Sequence, residues 1–118
     1  MARKFVSPDG CTILVGRTAA DNDVLTTRLA APRDFWLHVA SESGSHVVIR
    51  NPRGLARPPR ETLQMAAGLA AGHSRARAGG RVAVHWAPKS EVRKPRGSAP
   101  GKVELGRYRT LVVRPRRE

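Results

Sequence analysis

The residues best suited to chemistry are concentrated in one stretch, DFWLHVASESGSHVVIRNP, running from Asp34 to Pro52. It sets Trp36, His38, Ser45 and His46 near an acid, Asp34. Imidazole titrates closest to neutrality, so His38 and His46 are candidates for proton transfer, and Ser45 for a nucleophile. Nucleophilic catalysis requires the base to reach the hydroxyl while a third group orients the base. Ser45 and His46 are neighbours whose side chains diverge in an extended strand, which disfavours that pairing. The four histidines, His38, His46, His73 and His85, and the single Cys11 show no metal-ligand spacing, so neither a metal nor a cofactor is expected. GRTAADND lacks the glycine spacing and the Gly-Lys-Ser/Thr ending of a phosphate loop. For His38 and His46 two roles remain: a ring nitrogen bonded to backbone or to Asp34, or contact with a ligand. Trp36 has the corresponding pair, stacking on an exposed base or packing beneath the long helix.

The charge points to the ligand's class. Lys and Arg total 22 against 9 Asp and Glu, a net +13, and 18 of the 22 are Arg. Such an excess suits a polyanionic partner, and guanidinium donates bidentately to phosphate and stacks on bases. From Lys89 to Arg117 ten basic residues face two acidic ones, 10 − 2 = +8, so over half the excess lies in the last quarter. The phosphate-holding candidates are Arg50, Arg53, Arg57 and Arg60 in one loop, and Lys89, Arg93, Lys94 and Arg96 in another. Only 4% of residues are aromatic, which argues against a broad stacking platform and for recognition of a folded RNA's shape and phosphates.

These groups need a frame. CTILV (11–15) reads as a strand after the turn SPDG, with Gly16 ending it. A short helix follows, capped by Asp21 or Asn22, carrying Val24, Leu25 and Leu29 and ending before Pro32. FWLHV (35–39) and HVVIR (46–50) form strands around the loop SESGS. Phe35, Leu37 and Val39 share one face, and Trp36 and His38 the other; pairing as a hairpin would bring His38 near His46. Pro58 or Pro59 starts a long helix and Gly79–Gly80 stops it, with Leu63, Ala66, Ala67, Ala70 and Ser74 as a stripe of small side chains. Gly68 and Gly72 inside it imply close approach to a sheet. RVAVHW (81–86) alternates as a strand, and a last strand lies near Tyr108 to Val113. Phe35, Trp86 and Tyr108 are expected to pack, and Cys11 to be a buried, inert thiol. The predicted fold is α+β: one domain over 1–118, core about 5–115, with a mixed or mainly antiparallel sheet against one long and one short helix.

Three ordered segments, GRTAADNDVLT, DFWLHVASESGSHVVIR and EVRKPRGSAPGKV, together resemble the RNA-binding domain of the NFACT family, from roughly Phe5 to Pro115. The matching positions are Gly16, Arg17, Asn22, Asp23, Leu25 and Thr26; Asp34, Trp36, Leu37, His38, Gly44, Ser45, His46 and Val47; and Val92, Lys94, Gly97, Pro100, Gly101 and Val103. Thr18 stands where the family's Gly-Arg-Asn opening has Asn, and SESGS lacks the usual proline before Gly44. Large members are ribosome-quality-control factors that bind obstructed large ribosomal subunits with peptidyl-tRNA and promote tail addition. A chain of 118 residues has no room for their other domains, so the complete tailing function is not expected.

The resemblance implies non-catalytic binding of structured RNA, tRNA or ribosomal RNA on the large subunit, by Arg17 and the basic loops, with Trp36, His38 and His46 at a more selective contact. A protein-interaction adaptor for a ribosomal or other acidic protein is the second reading. A hydrolase or transferase using His38 or His46 is the third. MARKFVSPDG has no apolar leader segment and no run approaches a membrane span, so a cytoplasmic location without membrane partners is expected.

Overall fold

Strands here are short runs of β-branched and aliphatic residues, and alternation along them leaves two apolar faces rather than one. The computed structural model describes residues 1–116. A six-stranded sheet, every neighbouring pair antiparallel, has the order β1-β2-β4-β3-β5-β8. Its strands are β1 (Arg3–Val6), β2 (Thr12–Val15), β3 (Phe35–Val39), β4 (Val47–Ile49), β5 (Val82–Pro88) and β8 (Arg109–Val113). β6 (Val92–Arg93) and β7 (Glu104–Leu105) form a separate two-stranded ladder. The fold is thus the predicted α+β, and the sheet is wholly antiparallel.

One face packs on the long helix α2 (Arg60–Gly72). Ile13, Val15, Phe35, Leu37, Val39, Val47, Ile49, Val84 and Trp86 meet Met65, Ala66, Leu69 and Ala70 there, and small helix residues let backbone and sheet approach closely. Phe35 and Trp86 pack edge to face with centroids 6.0 Å apart. The second face is covered by helix α1 (Ala19–Val24), which continues as a π-helical turn at Leu25–Leu29, and by the small ladder. Leu25, Ala30, Trp36 and Val48 form that smaller core, with Leu14, Val92, Val103 and Leu105 against it. Trp36 therefore packs beneath the short helix rather than the long one expected, because strand alternation puts it on the side of the sheet away from α2.

Five further sequence expectations are corrected. The cap of α1 is Thr18, whose hydroxyl accepts the Asp21 N–H at 3.0 Å. A hydroxyl does there what the Asn side chain would do, so this departure from the family pattern preserves the cap. Helix α2 begins after Pro59 as expected but stops at Gly72, because the following chain turns to pair with the 43–45 loop: Ser45 N–H donates to His73 O at 3.0 Å, and Arg75 N–H to Ser43 O at 2.8 Å. Ser74 is consequently off the helix stripe. The chain that approaches Gly68 and Gly72 is the segment after β8 rather than the sheet, with Arg116 N–H bonded to Gly68 O at 2.9 Å. Tyr108, expected to pack, is half exposed. Cys11 is half-buried against the main core rather than fully enclosed.

Candidate nucleic-acid interface

The hairpin register, Phe35 with Ile49 and Leu37 with Val47, brings His38 and His46 together on the face away from α2. Their ring centroids lie 5.6 Å apart at 88°, while Trp36 stacks on His38 at 5.9 Å and 9° and meets His46 edge-on at 5.2 Å. His46 is 1% exposed and Trp36 3%. These two rings are almost wholly enclosed by the short helix and the 95–103 segment, and what they leave uncovered lies at the bottom of a cleft.

What they do instead follows from their hydrogen bonds. His46 Nε2 faces the Gly101 carbonyl at 2.9 Å, and a carbonyl only accepts, so Nε2 carries the proton. Nδ1 is then an acceptor for the Thr26 hydroxyl at 2.7 Å, whose oxygen in turn accepts the Trp36 Nε1–H at 3.1 Å. Every donor and acceptor of this chain is satisfied with a neutral ring. Burial first, then the neighbouring His38, lowers the His46 pKa to about 4. Burial likewise lowers that of His38, whose Nδ1–H donates to the Val39 carbonyl at 2.6 Å. Neither ring bonds to Asp34. That buried carboxylate accepts the N–H groups of Ala31 at 2.8 Å and Asn51 at 2.7 Å. With Nδ1 and Nε2 of His46 both occupied, that ring is not free to serve Ser45 as a base.

The three motifs thus converge by contact. Asn22 Oδ1 accepts the His46 N–H at 3.1 Å, and a Cβ on Gly16 would stand 2.0 Å from that same oxygen. Only glycine fits beside it. Asp23 Oδ1 accepts the Gly101 N–H at 2.9 Å and pairs with Lys94 Nζ at 3.1 Å. Lys94 also donates to the carbonyls of Ala99 at 2.6 Å and Lys102 at 2.9 Å, so its three N–H donors are used. Gly97 and Gly101 turn this loop at φ +78 and +81. Gly44 has a different reason: a Cβ there would lie 2.7 Å from that of Ser74.

Above this lattice opens a cleft of about 950 Å³. His38 and His85 stand on its floor, Ser41–Gly44 and Arg75 on one side, and Pro100–Leu105 on the other.

A model of the NFACT protein RNA-binding domain matches residues 1–106. The chain belongs to this family. It is 40% identical over 111 residues, 94% of its length, to the Rqc2 homolog RqcH of Bacillus subtilis, and 37% identical over 113 residues to that of Streptococcus suis. It spans about a fifth of the length of these curated relatives, 19% and 20%. The solved C-terminal part of the fibronectin/fibrinogen-binding protein from Streptococcus suis superposes with a TM-score of 0.90 at 35% identity, covering 98% of this chain and 45% of that one. Among the described residues no cluster of His, Cys, Asp or Glu is placed to hold a metal. No described helix is long and apolar enough to cross a membrane.

Against this NFACT frame the predicted cations divide. Arg50 Nε pairs with Asp34 at 3.4 Å and its Nη1 donates to Leu29 O at 2.8 Å, bracing β4 against the end of the short helix. Arg93 pairs with Glu104 across β6 and β7. Arg50 and Lys94 are engaged within the fold, whereas the Arg93–Glu104 pair lies on the surface. Arg17, Arg53, Arg57, Arg60, Lys89 and Arg96 have no carboxylate within ion-pairing distance among the described residues. Arg17 immediately precedes the Thr18 cap of the short helix, and Arg96 lies in the loop Lys94 anchors. Arg53 and Arg57 leave a loop pinned by Asn51, which bonds Leu55 through both N–H···Oδ1 and Nδ2–H···O, each at 2.9 Å. Sequence reasoning missed Arg75 and Lys102, both at the cleft, because neither belongs to a dense basic run.

Proposed function

We propose that this domain binds structured RNA, tRNA or ribosomal RNA, without transforming it, and that it does so in the cytoplasm as part of ribosome quality control. The observation that carries the reading is the set of basic side chains left without a carboxylate partner among the described residues, spread over the surface beyond the cleft, whose own cations are Arg75 and Lys102. After Arg50, Arg93 and Lys94 have been spent on holding the loops, Arg17, Arg53, Arg57, Arg60, Lys89 and Arg96 remain available to phosphates. Family membership and the likeness to the RqcH proteins support the same assignment. His46 and Trp36, almost wholly buried, act as positioning residues, and His38, the least buried of the three rings that line the cleft, is the one best placed for contact. Phosphate contacts of this kind fix register and orientation on a folded RNA without reading its bases.

The test is equilibrium binding to folded tRNA across a salt series, with an unstructured RNA of equal length and duplex DNA as competitors. A preference for tRNA that persists near physiological salt is the expected result. Changing Arg17, Arg53, Arg57 and Arg96 together to Gln should weaken binding and make the log-affinity versus log-salt slope shallower by roughly 3, at about 0.7–0.9 per lost contact. Equal competition by all three nucleic acids, fading together with salt, would overturn the reading. A protein partner retained after nuclease treatment would then favour the adaptor role.

A further inference from the structure

A second groove, of about 690 Å³, lies at the other end of the sheet, where β5 leaves it and β8 begins. Tyr108 forms one wall and is half exposed, an unusual position for one of the few large aromatic rings in the chain. Its ring meets His85 at a tilt of 56°, with centroids 4.3 Å apart, and His85 Nδ1 meets Thr110 Oγ1 at 3.0 Å, so the half-exposed tyrosine is held in place by His85. Trp86 and Ala87, both buried, contribute the apolar floor. Around it stand Arg57, Arg107 and Arg109, none paired with a carboxylate among the described residues.

The one acid in the groove is occupied in shaping it. Glu91 Oε1 accepts the Arg107 N–H at 2.8 Å, and the Gly106 N–H donates to Glu91 O at 2.8 Å. A Cβ on Gly106 would come within 2.6 Å of Glu91 Oε1. This turn fixes the direction in which Arg107 and Tyr108 leave it. His85 also stands on the floor of the first cleft, so the His85–Tyr108 contact links the two depressions. Arg107, Tyr108 and Arg109 lie beyond residue 106, where the family match ends.

We propose that this groove takes an unpaired nucleotide of the RNA held by the domain, with the base stacked on Tyr108 and adjoining phosphates gripped by Arg57, Arg107 and Arg109. It rests on the RNA-binding reading and adds to it a local, single-stranded contact. The chemistry is specific: an open aromatic face accepts any base, and planar guanidinium groups fork onto phosphate oxygens. A low aromatic count does not forbid such a site, because a single half-exposed ring suffices for one base.

The test uses an RNA hairpin with a 3′ single-stranded tail carrying 2-aminopurine, and the same hairpin blunt-ended. The chain should quench the tail's fluorescence on binding. Tyr108→Leu, which keeps apolar bulk without a π face, should abolish the quench and weaken binding of the tailed hairpin by roughly five- to hundredfold, the span of base–aromatic stacking. It should leave the blunt hairpin's affinity unchanged, and Tyr108→Phe should behave as the parent. Replacing Arg57, Arg107 and Arg109 with Gln should weaken the tailed hairpin more than the blunt one. If Tyr108→Leu binds and quenches like the parent, the groove inference fails while the RNA-binding reading stands. Displacement of the tail by poly-glutamate as effectively as by unlabelled tail would assign the groove to acidic protein segments and overturn it. If the parent binds neither hairpin nor tRNA, the reading beneath it fails as well.

Discussion

His46 and Thr26 settle each other's protons: the Thr26 hydroxyl donates to His46 Nδ1 at 2.7 Å because Nε2–H of the same ring is committed to the Gly101 carbonyl. Removing the hydroxyl leaves the Trp36 N–H and His46 Nδ1 without partners in a buried place, each costing about 1–3 kcal/mol. Thr26→Val should therefore lower stability by about 2–4 kcal/mol in urea unfolding despite its similar volume, and Thr26→Ser should restore most of it. Equal losses for Val and Ser would mean that the methyl, rather than the hydroxyl, matters.

Stability should fall as the solution is acidified below neutrality. The folded His46 pKa of about 4 lies under its ordinary 6.5, so between those values the unfolded chain binds more protons than the folded one. The contribution is fully present above pH 6.5 and is lost as pH falls to 4, at about 1.4 kcal/mol per unit and roughly 3 kcal/mol in all. His38, also lowered by burial, acts in the same direction. Unfolding midpoints measured from pH 7.5 to 4.5 should show this slope, and His46→Gln should flatten it. An unchanged slope in that variant would place the titrating group elsewhere.

Lys94 should behave as a structural cation. Its ammonium serves Asp23 and the carbonyls of Ala99 and Lys102, so Lys94→Met should raise amide exchange across 97–102 and cost about 1–2 kcal/mol. Lys94→Arg should not rescue the loop, because a planar guanidinium cannot aim donors at those three acceptors. Arg96→Gln, by contrast, should leave exchange unaltered and reduce only the salt dependence of RNA binding.

Gly72 tests the passage of the C-terminal segment over α2. A Cβ there would sit 1.9 Å from Arg116 O, so Gly72→Ala should destabilise the domain, although Ala gains about 1 kcal/mol of helix propensity. Gly80→Ala, which meets nothing within 4 Å, should be neutral or slightly stabilising. The two thermal midpoints, compared side by side, decide it.

Strands β2, β3, β4 and β5 were legible because each carries apolar residues in a run or strict alternation, and the start of α2 because Pro59 marks it. Strand β1, RKFV, was not: an edge strand buries only one face, and Phe5 alone carries the signal. The two-residue strands β6 and β7 are too short to have a period. The end of α2 was misplaced because Gly79 and Gly80 are the stronger local stop, while the actual stop depends on backbone bonds to a loop some thirty residues earlier in the chain.

The sequence by itself determined the antiparallel-compatible strand pattern, the large positive charge, the absence of a plausible nucleophile–base pair, and the three motifs that resemble the NFACT RNA-binding domain. Only the tertiary structure decided which motif residues are bound up inside the fold and which stay exposed. Trp36, His46, Asp23 and Lys94 turned inward to hold one another, and Arg50 was drawn to Asp34. Meanwhile Tyr108 came to the surface beside Arg57, fifty-one positions away in the chain. The physical reason is that residue type fixes what a side chain can donate, accept or stack upon, whereas whether it remains free to do so depends on partners that only folding brings within hydrogen-bonding distance.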